Sequence, residues 1–182
     1  MRCLERLFRR AGLPLGMSEG FHPKPRMTFP SALAVGIAAT DEVMELELSE
    51  PLSADEVLAR IAPHAPPGLE FASVAVLPPG SPKAHVSAVC YEVPVPPAEC
   101  AALPERIARV LAADTVPVRR AHKDRTVDLR AALADLSLRQ GVLHARLRGD
   151  AAGPRDVLAA LGLGDLERRG ACIVRTAVEV AP

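Results

Sequence analysis

The chain has 182 residues, 22 Lys+Arg against 22 Asp+Glu, and an apolar fraction of 49%. That length gives one ordinary domain or two small ones, and that composition excludes an intrinsically disordered chain. No apolar run reaches the ~18 residues of a membrane-spanning helix and the first residues do not read as a charged-then-apolar secretory leader, so a soluble cytoplasmic protein is expected.

Aromatic residues are only 3%, with four Phe, one Tyr and no Trp. The core must therefore be Leu, Val and Ala, and an aromatic platform for stacking bases is scarce. Lys24, Lys83 and Lys123 are the only lysines, so the basic residues are nearly all arginine, which suits bidentate phosphate binding. Cys3, Cys90, Cys100 and Cys172 form no CxxC spacing, which argues against a zinc ribbon or a local iron–sulfur loop and for free thiols. Net zero charge hides an asymmetry. Residues 1–30 carry six basic and two acidic side chains, residues 31–80 one basic and eight acidic, and residues 81–182 15 basic and 12 acidic. A basic segment beside an acidic one reads either as a binding surface for an anion or as two elements that neutralise one another.

Residues 1–11 read as an amphipathic helix, with Cys3, Leu4, Leu7, Phe8 and Ala11 on one stripe and Arg2, Arg6, Arg9 and Arg10 on the other faces. Gly12 stops it and Pro14 forbids continuation. No capping residue precedes the periodic pattern, so this helix looks like the surviving part of something longer. Residues 16–30 hold two glycines and three prolines. Pro23 and Pro25 push His22 and Lys24 toward extended conformations, giving a stiff loop that presents His22, Lys24 and Arg26. Residues 32–38 and 42–48 read as strands, and Ser53 with Glu56 forms a capping box opening a helix through Val57, Leu58 and Ile61. Residues 69–77 read as a final strand. The order helix, strand, strand, helix, strand is that of a ferredoxin-like half without its first strand.

Residues 79–84, rich in proline, form the linker between a first half at 1–78 and a second at 85–182. The second half begins with a strand at 85–95 and an Ala-rich helix at 98–113. Short strands at 116–120 and 125–130 flank a turn at 121–124. A hairpin at 133–139 and 142–148 turns on Gln140-Gly141, a short helix follows Pro154, and 171–180 closes as a strand. The fold class is thus α+β: two ferredoxin-like α/β-sandwich halves, the first lacking its N-terminal strand.

The loop Ser18-Glu19-Gly20-Phe21-His22-Pro23-Lys24-Pro25-Arg26 is the segment best suited to chemistry. Gly20 permits a turn closed to other residues, and His22, Lys24 and Arg26 recur every second residue, so they project from one side of an extended chain. Ser18, Glu19 and His22 contain the types of a nucleophile–base–acid set, but no nucleophile elbow surrounds Ser18. Binding an anion needs only positive charge on a fixed backbone. A second polar cluster, His122-Lys123-Asp124-Arg125 with Asp128 and Arg130, reads better as a salt-bridged strand edge. His64, His85 and His144 are isolated, no histidine spacing supports a metal, and neither familiar glycine-rich nucleotide loop is present.

The run from Arg9 to Arg26 containing SEGFHPKPR, followed by Ala34-Val-Gly36 and Glu45-Leu-Glu-Leu48, resembles a bacterial family of uncharacterised domains, the radical-SAM-linked proteins. The similarity is clear over residues 2–77 and extends loosely through Asp128-Leu-Arg130 and Ile173-Val-Arg-Thr176. Its members begin with a further strand, in keeping with the uncapped first helix. The resemblance implies a cytoplasmic module partnering a radical S-adenosylmethionine enzyme, with the iron–sulfur cluster and S-adenosylmethionine carried by the partner and no cofactor in this chain. The leading expectation is a non-catalytic accessory module that binds an anionic substrate, RNA above all. Lys24 and Arg26 neutralise phosphates, Arg9 and Arg10 extend the patch, Ser18 and His22 join them in the binding loop, and Gly20 with Pro23 and Pro25 holds that loop in shape. The alternatives are an RNA-processing enzyme with His22 as general base, or a scaffold docking through the acidic segment 41–56.

Overall fold

The computed structural model describes residues 2–120 and 125–181. In chain order the elements are α1 (Arg2–Arg10), β1 (Met27–Thr28), β2 (Ile37–Ala39), β3 (Glu45–Leu46), α2 (Ala54–Ile61), β4 (His85–Pro94), α3 (Pro97–Cys100), α4 (Leu103–Ala112), β5 (Pro117–Arg120), β6 (Arg125–Asp128), α5 (Leu129–Ala132), β7 (Leu133–Arg139), β8 (Val142–Arg148), α6 (Pro154–Ala160) and β9 (Ile173–Ala181). The protein is α+β, and no helix among the described residues is long and apolar enough to cross a membrane. Two compact units are present, Met1–Phe29 with Met44–Lys83 and Pro30–Val43 with Ala84–Pro182. Residues 30–43 therefore leave the first 78 residues and join the second unit, where β2 runs parallel to β9 with Ile37 opposite Ile173.

In the first unit, α1 ends as its sequence dictates. Gly12 has φ +65, the Gly12 N–H donates to the Arg9 carbonyl at 3.2 Å, and the Leu13 N–H donates to the Phe8 carbonyl at 3.1 Å. That pattern satisfies the last carbonyls of the helix and brings Leu13 onto Phe8. The α2 cap is the reciprocal one expected: the Glu56 N–H donates to Ser53 Oγ while the Ser53 N–H donates to the Glu56 carboxylate at 2.8 Å. The core is small, formed by Leu7, Phe8, Leu13, Met27, Val57 and Ile61, with Phe71 and Val74 packed on it. β1 and β3 pair antiparallel for two residues each. Residues 69–77, expected as a strand, take no regular structure; they lie between proline pairs, and only Phe71 and Val74 are drawn onto the core. The strand expected at 32–38 is reduced to β2, because Gly36 at φ +86 breaks the extended run.

The second unit carries the five-stranded sheet β2-β9-β4-β8-β7. Without β2, the sequence β4, α4, β7, β8, α6, β9 is the complete strand–helix–strand–strand–helix–strand order, with all neighbours antiparallel. Gln140 and Gly141, both at positive φ, make the two-residue hairpin turn whose twist matches that of the flanking strands. One sheet face packs Val89, Val93, Leu143, Leu147 and Ile173 against Leu103, Ile107 and Val110 of α4 and Val157, Leu158 and Leu161 of α6. The helix expected over 98–113 is two pieces, α3 and α4, and the second has Pro104 in its first turn, where proline is tolerated. The β5–β6 hairpin stands apart from the main sheet. Asp128 ends β6 and caps α5, its Oδ1 accepting from the Val116 N–H at 2.9 Å and the Arg130 N–H at 3.0 Å. The expected turn at 121–124, and His122, Lys123 and Asp124 with it, lie outside the described residues, as does Met1.

Candidate functional site

The proline-rich loop of the first unit is a closed arch. The Arg26 N–H donates to the Gly16 carbonyl at 2.8 Å, and Gly16 and Glu47 hold each other's strand positions through the Gly16 N–H on the Glu47 carbonyl at 2.8 Å. A side chain at Gly16 would bring its Cβ 3.0 Å from Glu47 Cγ, which explains the glycine. Further out, Met17 bridges Pro25, the Ser18 N–H donates to the Lys24 carbonyl at 2.8 Å, and the Lys24 N–H donates to Ser18 Oγ at 3.0 Å. Ser18 is thereby a brace, not a nucleophile. Gly20, at φ +117, turns the crown of the arch. Pro25 is buried, whereas Phe21, His22 and Lys24 are exposed.

The cations differ in their company. Arg26 Nη1 sits 3.1 Å from Glu47 Oε1 in a half-exposed ion pair, so its charge is already matched. Among the described residues, the side chains of His22, Lys24, Arg2, Arg6, Arg9 and Arg10 make no ion pair and no hydrogen bond, and all six residues are exposed. Arg9 and Arg10 lie in the last turn of α1, where the helix dipole favours positive charge. A shallow cleft on α1 is lined by Arg2, Glu5, Arg6 and Arg9; it includes neither Arg10 nor the loop. Residues 1–29 hold six basic and two acidic side chains and residues 44–83 two basic and six acidic, so the first unit is polar in its charge and not basic overall.

The acidic segment 41–56 is largely occupied internally. Glu47 pairs with Arg26, Glu45 accepts from the Thr28 hydroxyl at 3.1 Å, and Glu56 caps α2. Hydrogen bonds from the Ser53 backbone and then its side chain hold the Glu56 carboxyl below its ordinary value. Glu42 belongs to the second unit and binds Arg175 there.

That pair is the feature the sequence reading missed. Arg175 is 2% exposed. Its Nε lies 2.5 Å from Glu42 Oε1, Nη2 pairs with Glu42 Oε2, and Nη1 donates to Ser31 Oγ at 2.8 Å. Burial pulls the Arg175 guanidinium down, but its bonds to Glu42 and Tyr91 outweigh burial and hold it above its ordinary value. Burial pushes the Tyr91 phenol up. The available signal was an arginine two residues after Ile173 in an apolar strand, on the same inward face. Beside it lies a cleft of about 400 Å3 lined by Ser31, Leu33, Tyr91, Arg120, Pro154 and Arg175, among others. Arg120 is likewise matched, its Nε 3.0 Å from Asp156 Oδ1 and its Nη2 bonded to Asp156 Oδ2. The Ala34-Val-Gly36 motif also has a structural role: Arg155 Nη2 donates to the Val35 carbonyl at 2.9 Å and to Glu167 at 2.8 Å.

No group of three or more His, Cys, Asp or Glu side chains among the described residues is arranged to hold a metal ion, and all four cysteines are free. The chain matches no curated protein and no solved structure. Residues 1–158, the whole first unit and most of the second, match a family described as uncharacterized protein conserved in bacteria, and the chain belongs to that family, DUF2344.

Proposed function

We propose that the protein is a non-catalytic accessory module that binds an anionic substrate, RNA by class, through the first unit. One observation carries this reading: Lys24 on a braced arch, with the exposed His22 beside it, and Arg9 and Arg10 on α1, are exposed cations without a carboxylate partner among the described residues. A fixed, unmatched cation attracts phosphate without first breaking an internal bond. Arg26 has a subsidiary role, because Glu47 competes for it. The partner in this reading is a cytoplasmic radical-SAM enzyme that carries the iron–sulfur cluster and S-adenosylmethionine, and this chain brings no cofactor of its own. That part of the reading rests on the resemblance of the SEGFHPKPR run.

The test is affinity for RNA against salt concentration. Binding at low salt that weakens steeply with added salt is expected, with Lys24→Ala and Arg10→Ala each flattening the dependence. Affinity that is absent at low salt, or indifferent to salt, contradicts the reading. Retention of the radical-SAM partner in a nuclease-treated pull-down tests the partnership separately. Catalysis by His22 has less support, since no hydrogen bond among the described residues orients its ring as a base would require. Turnover of RNA by the wild-type protein, lost in His22→Ala with binding intact, would reverse that ranking.

A further inference from the structure

We infer that Phe21 is a base-stacking contact, so that the polyanion this site takes is single-stranded and not duplex. The inference rests on the anion-binding reading above and adds to it the class of strand. Phe21 is 101% exposed, in a chain with only four phenylalanines. Phe8, by contrast, is 2% exposed, and its ring centroid lies 6.3 Å from that of Phe71. Leaving a Phe ring wholly in water forgoes about 1.5–3 kcal/mol of burial, which a stacking partner at the crown of the arch would recover.

The ring is not on a loose tail. Its loop is closed at Ser18 and Lys24 by two hydrogen bonds of 2.8 and 3.0 Å, and the Met17–Pro25 bridge lies just below. Gly20 at φ +117 precedes it and Pro23 follows two residues later, so the backbone that carries Phe21 has little freedom left to lose on binding. An aromatic face beside Lys24 is the pairing that single-strand binders use, with the ring taking a base and the ammonium taking phosphate. In a duplex the base faces are already stacked on one another, and the deep groove of A-form RNA admits no side chain. The first unit has equal numbers of acidic and basic residues, so attraction to a polyanion rests on its local cations, and a stacked base adds to them an attraction that does not depend on salt.

The experiment uses the full chain, with a short single-stranded oligoadenylate and an RNA duplex of the same length as probes, followed by fluorescence anisotropy over a range of salt. The single strand should bind more tightly than the duplex. Phe21→Ala should weaken single-strand binding roughly five- to 150-fold without changing the salt slope, and Phe21→Tyr should restore it. Because the side chain is fully exposed, neither substitution threatens the fold, and circular dichroism verifies this. Salt-dependent binding that Phe21→Ala leaves untouched overturns the stacking role while the anion-binding reading stands. No binding of either probe at low salt overturns both. Loss of the radical-SAM partner in Phe21→Ala, with RNA affinity unchanged, assigns the ring to a protein contact and also overturns the inference.

Discussion

In the second unit Arg106, Arg109, Arg120, Arg146, Arg155, Arg169 and Arg175 all meet carboxylates, whereas in the first unit Arg26 alone of the arginines does so among the described residues. Arg125, Arg130, Arg139 and Arg168 of the second unit are without such a partner among the described residues, but they are dispersed over β6, α5, β7 and the approach to β9. The first unit instead places four unmatched guanidiniums on one nine-residue helix, with Glu5 as its single acid. Arg2, Arg6 and Arg10 follow one another at i,i+4, a spacing at which like charges cost a helix a few tenths of a kcal/mol per pair. The comparison separates two uses of one residue type. A guanidinium bidentate to a carboxylate holds the fold, and its field is cancelled locally. One left in water beside its like weakens the helix slightly and is relieved when a polyanion arrives.

The comparison breaks most severely at Arg175. Arg175→Ala leaves the Glu42 carboxylate without its partner, and a loss of about 3–5 kcal/mol in urea unfolding is expected. The double variant Arg175→Met with Glu42→Gln should recover much of it, because the uncompensated charge is then gone. A loss below about 1 kcal/mol in the single variant would mean that this pair holds no more than a surface pair does. Gly20→Ala in the arch should cost roughly 1–3 kcal/mol, since φ +117 is strained for any residue with a Cβ, although nothing lies within 4 Å of that Cβ. Loosened protection of the Lys24 amide in hydrogen exchange is the readout.

Ser53→Ala removes the α2 cap and should cost about 1 kcal/mol. Its pH dependence has a definite sign. The Glu56 carboxyl is lowered by Ser53, Glu167 by Arg155 and Glu179 by Arg146, so their contributions are complete above the ordinary value of 4.5 and are lost as pH falls through the folded values. The urea midpoint should therefore fall on acidification below pH 4.5, and less so in Ser53→Ala. Glu47→Gln has the smallest effect on stability, less than about 1 kcal/mol for a half-exposed pair. It also frees Arg26, so the salt dependence of RNA binding should steepen by about 0.7 in logarithmic slope.

Local chemistry was legible in the sequence and long-range pairing was not. Gly12 as a helix stop, the Ser53–Glu56 box and the Gln140–Gly141 turn all rest on interactions within a few residues of chain. Nothing near Ile37 encodes its partner Ile173, which lies far along the chain, so sequence alone groups β2 with the first half. The alternation over 42–48 gives β3 over two residues paired with β1, and beyond it an isolated bridge from Leu48 to Leu15. For the site, the prolines and Gly20 announced a stiff loop, and the loop is braced as that implies. That Glu47 engages Arg26, and that Phe21 stays wholly in water, are tertiary facts with no local signature.

The most direct test neutralises equal numbers of cations that have no carboxylate partner among the described residues of each unit, and reads the salt slope of single-stranded RNA binding. One variant combines Arg9→Gln, Arg10→Gln and Lys24→Gln; the other combines Arg125→Gln, Arg139→Gln and Arg168→Gln. The first should lower the slope by about 2, at roughly 0.7 per lost phosphate contact, and the second should leave it unchanged. Equal losses in the two variants, or a loss confined to the second, would contradict the assignment of the anion to the first unit.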